Sequence, residues 1–172
     1  AKNEFVAFLD SDDLWDKDKL QKQIEFMKNN GYLFSYTNYT PFYLSNRKKI
    51  FKKTVKPRIS YDLNSFVKDT SIATSSMMIK RKIIDVKKFK KDSHNEDYDF
   101  KCKILLKNII ANNLDENLTF YRITQNSRSS YKFKSLLSIY STNRNLLQMS
   151  FFKNLISIFF IVFRSIIKYG YK

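Results

Sequence analysis

The spacing of apolar positions changes along this chain and marks out its first elements. Residues 5–9, FVAFL, are a continuous apolar run, which is the pattern of a strand buried on both faces. Leu20, Ile24 and Met27 then recur at the spacing of one helix face. Asp16 is the predicted N-cap of this helix. The sequence therefore begins with a strand and then a helix.

Further strands and helices follow. Strands are predicted over residues 32–44, 71–81, 109–113 and 118–123. Helices are predicted over residues 60–67, from residue 96 onwards and over residues 131–149. Residues 46–58 are predicted to be a hairpin or loop, and residues 87–91 a polar loop. Pro41 predicts an edge or a break in the strand that contains it, because proline has no backbone N–H to donate.

The C-terminal segment, residues 151–172, differs from the rest in character. Its longest apolar run, residues 155–163, is shorter than the roughly 20 residues that a bilayer span needs. Lys153, Arg164 and Lys168 flank or interrupt that run. This composition predicts a helix that lies in a membrane interface. The alternative is a helix that packs back on its own domain or on a following one.

Charge is unevenly spread along the chain. The net charge is +16, and residues 117–172 contain nine Lys or Arg and no Asp or Glu. A basic segment without acids predicts an anionic partner surface, either membrane lipid or nucleic acid. Simple solubility is the alternative. A nucleic-acid-binding module explains the charge but not the acidic cluster near the start, so the sequence favours membrane over nucleic acid.

Composition excludes several classes of site. With Gly 2 in the whole chain, neither a P-loop nor a Rossmann glycine fingerprint can be built. The single Cys102 allows no disulfide within the chain, which fits a reducing compartment. One cysteine and one histidine, His94, are too few ligands for a Cys/His zinc site, so that class of site is also excluded.

An acidic cluster directly follows the first apolar run. Asp10, Asp12 and Asp13 bring three negative charges within four positions, and like charges repel each other. An ordinary turn needs one Asp, or at most two. Mg²⁺ and Mn²⁺ are held by one or two carboxylates together with phosphate oxygens. The cluster therefore favours a metal–phosphate site over an ordinary acidic turn.

A second acidic pair opens the helix predicted from residue 96. Glu96 and Asp97 precede the apolar positions Phe100, Ile104 and Leu105. Acids at a helix N-terminus are stabilised by capping and by the helix dipole, so a purely structural role is the simple alternative to a catalytic one.

These two motifs, in this order, resemble a known family. FLDSDDLWDKDKLQKQIEFM, with NEDYDFKCKILL about eighty residues later, resembles the bacterial family 2 inverting glycosyltransferases of GT-A fold. TSIATSSMMIKR resembles that family's strand before the catalytic helix, and LTFYRITQNSRSS its closing segment. The resemblance covers residues 3–130. It implies an α/β, Rossmann-like GT-A fold with a C-terminal helical tail, divided into residues 1–130 and 131–172.

The resemblance assigns roles to the first cluster. Asp10-Ser11-Asp12 matches the family's Asp-X-Asp motif, so Asp12 would coordinate Mn²⁺ or Mg²⁺ on the donor's diphosphate. Asp10 would approach the ribose or the waters of the metal, and Asp13 would support the loop or face the sugar. Arg122 would pair with phosphate. Thr124 stands where many relatives have a histidine.

The resemblance also implies a reaction. Asp97 matches the family's catalytic base, and Glu96 would hold Asp97 or contact the acceptor. The enzyme would be a hexosyltransferase that moves a sugar from a nucleotide-sugar, expected to be a UDP-sugar, to a glycan or lipid-linked acceptor. The enzyme would take part in the synthesis of bacterial lipopolysaccharide or capsule. It would act in the cytoplasm as a peripheral protein on the inner face of the membrane.

The family's first strands and its Tyr-Asn turn are not in this sequence. We therefore expect the 172 residues alone to bind nucleotide-sugar poorly or to fold incompletely. The alternative function is a non-catalytic remnant that keeps the second half of the fold and binds membrane.

Overall fold

The computed structural model describes residues 3–84, 95–124 and 132–169, and it contains both strands and helices. Its strands are β1 Phe5–Ala7, β2 Leu14–Trp15, β3 Phe34–Ser45, β4 Lys48–Phe51, β5 Ser60–Tyr61, β6 Met78–Lys80 and β7 Ala111–Arg122. Its helices are α1 Lys19–Asn29, α2 Leu63–Phe66, α3 Glu96–Leu105, α4 Lys132–Asn145 and α5 Phe151–Tyr169, with single 3-10 turns at Thr74–Ser76 and Arg81–Ile83. The polar loop predicted over 87–91, and His94, lie outside the described residues.

The seven strands form one mixed sheet. Its order is β1-β6-β3-β7-β2, with β4 also paired to β3 and β5 also paired to β7. Strands β3 and β7 run parallel, from Phe34 opposite Ala111 to Phe42 opposite Arg122. The other pairs are antiparallel. A mixed sheet with helices confirms the predicted α/β class and is consistent with a GT-A fold.

Strand β1 differs from the buried strand predicted over residues 5–9. It is three residues long, pairs antiparallel with β6, and its side chains are half-buried. Leu9, predicted inside the strand, is exposed. Among the described residues β6 is its one partner in the sheet, so the far edge of β1 is not covered by another strand. The expectation of burial on both faces is therefore wrong.

Strand β3 is longer and more buried than its sequence pattern predicts. Every residue from Phe34 to Phe42 is buried, and the strand continues through Pro41 without a break. Proline is tolerated because its carbonyl, which accepts from the Lys52 N–H at 2.8 Å, supplies the bond to β4. The polar side chains are buried with partners: Thr37 and Thr119 hydroxyls lie 3.0 Å apart. The strands predicted over 109–113 and 118–123 are one strand, β7.

Of the hairpin or loop predicted over 46–58, residues 46–51 form the two-residue turn and the second strand of a hairpin whose first strand is the end of β3. Ser45 lies opposite Lys48, and the turn residues Asn46 and Arg47 have φ of 47° and 62°. Positive φ at both positions matches the tight turn that suits the twist of two strands. Asparagine tolerates this backbone well, whereas arginine does so at a cost.

Arg47→Gly is therefore expected to stabilise the protein. Glycine adopts positive φ without steric penalty, so the free energy of unfolding should rise by about 0.5–1 kcal/mol. Urea unfolding followed by circular dichroism measures the change. The control is Lys48→Gly in the adjoining strand position, which should destabilise. A lower stability for Arg47→Gly would contradict the turn geometry.

Helix α1 begins later than predicted. Its N-cap is Asp18, and Asp16 lies outside the helix, where its Oδ1 accepts from the Asp18 N–H at 3.0 Å. The helix ends near Gly31, which has φ of 69°. Asp16 as N-cap is therefore wrong by two residues, because its side chain orders the turn before the helix.

The described chain divides into two compact units. The first consists of Ala1–Tyr61, Ser71–Asp85 and Ile109–Gln125 and contains the sheet with α1. The second consists of Asp62–Thr70, Val86–Asn108 and Asn126–Lys172 and contains α2 to α5. The core of the second unit includes Phe66 stacked on Tyr98, with ring centroids 5.6 Å apart. The predicted division at residue 130 stays a prediction.

Candidate active site

The acidic cluster forms a tight turn in the first unit. The Asp13 N–H donates to the Asp10 carbonyl at 3.1 Å, which closes a four-residue turn. Asp10 and Asp12 are exposed, whereas Asp13 is only 5% exposed. Two residues of the turn, Asp10 and Asp12, are therefore exposed to solvent, and the third, Asp13, is buried in the protein.

Two other segments of the same unit hold this turn. Ser75 accepts twice: its hydroxyl from the Asp10 N–H at 3.0 Å, and its carbonyl from the Trp15 indole N–H at 2.7 Å. The Arg122 N–H, at the end of β7, donates to Asp13 Oδ1 at 2.7 Å. Neutral and charged hydrogen bonds from several directions fix a backbone more firmly than local turn contacts alone. The positions of Asp10 and Asp12 are therefore set by the sheet.

Asp13 is a buried carboxyl with one oxygen bound and one not. Its Oδ2 is buried and accepts no hydrogen bond from the described residues. The pKa of Asp13 is raised, chiefly because burial penalises its charged form and further because Asp10 and Asp12 are close. The nearby Ser75 hydroxyl and the Arg122 N–H lower it. Of the two roles expected for Asp13, this position favours support of the loop.

A lysine is buried beneath the turn. Lys19 has no exposed surface; its ammonium lies 4.2 Å from the centre of the Trp15 ring and donates to Gln23 Oε1 at 2.8 Å. Gln23 in turn donates to Ser35 and to the Ser76 carbonyl. The half-buried Trp15 thus contacts both the Lys19 ammonium and the Ser75 carbonyl. Burial lowers the pKa of Lys19 to about 7.

The buried amine predicts a pH dependence of stability. Between pH 7 and about 10 the unfolded chain holds a proton on Lys19 that the folded chain has released, so the free energy of unfolding rises with pH, by at most about 1.4 kcal/mol per unit. Lys19→Met should lose this rise. The measurement is urea unfolding at pH 7 and 9.5, with exposed Lys17→Met as control. Equal slopes in Lys19→Met and the unchanged protein would contradict it.

The second acidic pair lies in the second unit, at the start of α3. Glu96, Asp97 and Asp99 occupy the first turn of the helix. The Asp97 side chain is 51% exposed, and Lys101, one turn later and buried, donates to Asp97 Oδ2 at 3.0 Å. A buried ammonium one turn away restricts the carboxylate to few orientations. The Asp97 carboxylate is thus exposed enough to contact a ligand, and its orientation is restricted by Lys101.

The N-terminus of α3 is also fixed to α4. The Asn95 side-chain amide donates to the Ser135 carbonyl at 2.7 Å and to its hydroxyl at 3.0 Å. The Asn95 carbonyl accepts from the N–H groups of Tyr98 and Asp99. The residue before Glu96 therefore ties the helix start to its neighbour, which sets where Glu96 and Asp97 lie within this unit.

The acidic turn fits a divalent cation only if a ligand brings further oxygens. No group of three or more His, Cys, Asp or Glu side chains among residues 3–84, 95–124 and 132–169 is arranged to hold a metal ion. Mg²⁺ and Mn²⁺ need one or two carboxylates when a substrate's phosphates supply other ligands. Exposed Asp10 and Asp12 meet this smaller requirement.

The structure thus gathers Asp10, Asp12, Asp13 and Arg122 in the first unit and Glu96 with Asp97 in the second. Sequence reasoning missed Ser75 and Lys101, which support the two sites. The i, i+4 spacing from Asp97 would have indicated Lys101. Nothing local to Ser75 indicates its role, since its partners are 60 and 65 positions away in the chain.

Comparison with known proteins gives the family. The model for Glycosyl transferase family 2 matches residues 1–86, which include the acidic turn. TuaG of Bacillus subtilis, named as a teichuronic acid biosynthesis glycosyltransferase, is 31% identical over 153 residues, covering 89% of this chain and 60% of TuaG.

Two Escherichia coli proteins are also similar. Both WfgD and WfaP are named as UDP-Glc:alpha-D-GlcNAc-diphosphoundecaprenol beta-1,3-glucosyltransferases. WfgD is 38% identical over 138 residues, and WfaP is 35% identical over 140 residues. The matches cover 79% and 80% of this chain but 52% and 53% of the relatives, so the chain spans about half their length. The family indicated by the two motifs is confirmed: this chain belongs to glycosyl transferase family 2.

Proposed function

We propose that this chain is the catalytic portion of a metal-dependent glycosyltransferase, which moves a sugar from a nucleotide-sugar to a hydroxyl of an acceptor. The observation that carries the proposal is the fixed turn with exposed Asp10 and Asp12 and buried Asp13. Like charges this close repel each other, and a bound cation would relieve that repulsion. Family membership supplies the class of reaction.

The donor and acceptor follow from the relatives by analogy. WfgD and WfaP are named for UDP-glucose and a diphosphoundecaprenol-linked sugar, and TuaG for teichuronic acid biosynthesis. We infer a UDP-sugar donor and a lipid-linked acceptor here, in the synthesis of a bacterial surface glycan such as lipopolysaccharide or capsule. With such an acceptor, the proposed work is at the inner face of the membrane, with the protein peripheral to it.

In this proposal the first unit handles the donor. Asp12, assisted by Asp10, would hold Mn²⁺ or Mg²⁺, and a bound cation neutralises charge on a departing diphosphate. Asp13 keeps the turn in place through the Arg122 N–H. Arg122 ends β7, and its guanidinium would pair with phosphate.

The second unit supplies the base. The Asp97 carboxylate would take the proton of the acceptor hydroxyl while that oxygen attacks the anomeric carbon. The bond from that carbon to the diphosphate oxygen breaks, and its electron pair leaves with the nucleoside diphosphate. A single displacement inverts the anomeric centre. Lys101 orients Asp97, and Glu96 would steady it or contact the acceptor.

The test is transfer by the full-length protein that carries this chain. Radiolabelled UDP-sugars are supplied with a synthetic lipid-diphosphate-GlcNAc acceptor and Mn²⁺. We expect label in the lipid product, its loss with EDTA and its return with added Mn²⁺. Donor binding without transfer from any of the UDP-sugars would instead favour the non-catalytic remnant.

A further inference from the structure

Helix α5 packs with its polar side inward. Ile158 is half-buried at the margin of its inward side, and the residues on that side are buried Asn154, Ser157 and Ile161 and half-buried Lys168. Their spacing of three, four and seven residues places them on one stripe of the helix. A helix on the surface of a water-soluble domain normally buries its apolar stripe. Two of the three fully buried positions here are polar, which reverses that rule.

A network of hydrogen bonds fixes this polar stripe. The Asn143 side-chain amide, on α4, donates to Asn154 Oδ1 at 2.9 Å and to Ser157 Oγ at 3.2 Å. Ser157 donates to the Val67 carbonyl at 2.5 Å, and Asn154 donates to the Tyr140 carbonyl at 3.0 Å. Buried amides and hydroxyls with partners restrict a helix to one rotation, because any other leaves them unpaired.

An ion pair fixes the far end of the helix. Asp69 is 3% exposed, and its carboxylate accepts from Lys168 at 3.0 Å, with Arg164 at 3.8 Å. The pKa of Lys168 is lowered, because burial outweighs the attraction of Asp69. Two basic side chains of α5 thus converge on one buried acid of the same unit, so this end too keeps its polar side inward.

The outward side of α5 is consequently apolar along its whole length. Ten large apolar side chains are exposed: Phe151, Phe152, Leu155, Ile156, Phe159, Phe160, Val162, Phe163, Ile166 and Ile167. At about 100° per residue, nine of them, all except Phe151, cover an arc of about 160° that contains no charged residue. The helix is 19 residues, about 28 Å, long. Lys153 lies along one edge of this arc, and Arg164 follows it on the same edge, with its guanidinium also 3.8 Å from Asp69.

We propose that this outward face, residues 151–167 of α5, docks on an anionic lipid bilayer. An exposed apolar strip of this length marks an interaction surface. A basic edge beside an apolar arc suits a helix lying in the headgroup region, with its cations at lipid phosphates. No helix in the described residues is both long and apolar enough to cross a membrane.

Charge argues against a second copy of this chain as the occupant. Residues 117–172 contain no acid, so an α5 helix of a second copy would offer no carboxylate to Lys153. Like charges at an interface cost affinity. An anionic bilayer supplies the opposite charge.

The same network connects the docking face to the proposed base. Tyr98, next to Asp97 on α3, donates its hydroxyl hydrogen to Asn143 Oδ1 at 2.7 Å, and Asn143 holds α5. Within the second unit, the bilayer face and Asp97 therefore keep a fixed separation. This step rests on the proposed function, since a fixed height above the bilayer is useful when the acceptor is attached to lipid.

Vesicle binding tests the docking face. The full-length protein is sedimented with vesicles of phosphatidylcholine alone or with 30% phosphatidylglycerol, at 150 mM salt and without nucleotide. We expect binding to the anionic vesicles that weakens in 0.5 M salt. Phe152→Asn with Phe159→Asn, at side chains of residues 76% and 65% exposed, should weaken it at least about tenfold. The matched control is Phe133→Asn on α4, 74% exposed, which should bind normally.

A charge variant tests the basic edge separately. Lys153→Glu should weaken binding to anionic vesicles by about tenfold and leave any binding to neutral vesicles unchanged. Circular dichroism and thermal unfolding of each variant show whether the fold is kept, as expected for exposed positions.

Several results would overturn the proposal. They are no binding to anionic vesicles, equal loss in Phe133→Asn, or a reversible dimer in sedimentation velocity that the two α5 substitutions abolish. Failure of the proposed function is distinguishable, because vesicle binding needs no donor or acceptor. Asp12→Asn should bind vesicles like the unchanged protein. If the unchanged protein binds anionic vesicles but transfers no sugar, only the proposed function is contradicted.

Discussion

Replacing Asp97 by Asn is expected to lower kcat for sugar transfer by about a thousandfold and to leave donor affinity unchanged. An amide keeps the shape of the side chain and accepts no proton at neutral pH, so the acceptor oxygen attacks without a base. In the proposed function the donor is bound through the acidic turn of the first unit, so its Kd should not depend on Asp97. A loss in kcat without a change in donor Kd is the pattern expected for a group needed only in the transition state.

The matched control for Asp97→Asn is Asp99→Asn. Asp99 lies in the same first turn of α3 and, like Asp97, pairs with a lysine four positions later, Lys103. If Asp99→Asn slows transfer as much as Asp97→Asn does, the effect comes from the charge of the helix start and not from a base. Steady-state rates with radiolabelled donor, together with circular dichroism of both variants, separate these cases.

Asp12→Asn is expected to remove the metal-dependent part of donor binding. With Mn²⁺ present, the Kd for UDP-sugar should rise about a hundredfold, because an amide oxygen is a weaker ligand for a hard cation and leaves its charge uncompensated. Without metal, the variant and the unchanged protein should bind donor equally weakly. Calorimetric titration with and without Mn²⁺ measures both values.

Asp10→Asn and Asp18→Asn complete this series. If Asp10 approaches the metal, Asp10→Asn should weaken donor binding only when Mn²⁺ is present. If Asp10 contacts the ribose, Asp10→Asn should weaken donor binding equally with and without Mn²⁺. Asp18 is exposed at the start of α1 and its side chain makes no capping bond, so its amide variant should bind normally. Equal metal dependence in Asp12→Asn and the unchanged protein would contradict a metal at this turn.

Element types were largely predictable from the sequence, whereas burial was not. The short helix α2 lies inside the predicted range 60–67, although Ser60–Tyr61 form strand β5. The turn and second strand of the β3–β4 hairpin lie inside the predicted range 46–58. The burial of β1 and β3 depends on which strands pair beside them, and periodicity within one strand cannot show that. β3 buries Ser35, Thr37 and Asn38 because residues far along the chain supply their hydrogen bonds.

The candidate site divides in the same way. The acids that would meet substrate could be found because Asp10, Asp12 and Asp97 stand in local motifs. The residues that hold them could not, except Lys101, because Ser75 and Arg122 reach the turn only through the fold. Lys19 and Gln23 illustrate this most clearly. Both are polar residues of α1, and yet both are completely buried in the structure.

Helix α5 has a consequence for sequence variation among close relatives that share it. In an ordinary surface helix, selection preserves the apolar side and lets the polar side drift. Here the polar residues Asn154, Ser157 and Asp69 are the constrained positions, because each is buried with partners. The outward positions need only remain apolar, so Phe, Leu, Ile and Val should interchange freely there. The slowly evolving side of this helix is therefore the hydrophilic one.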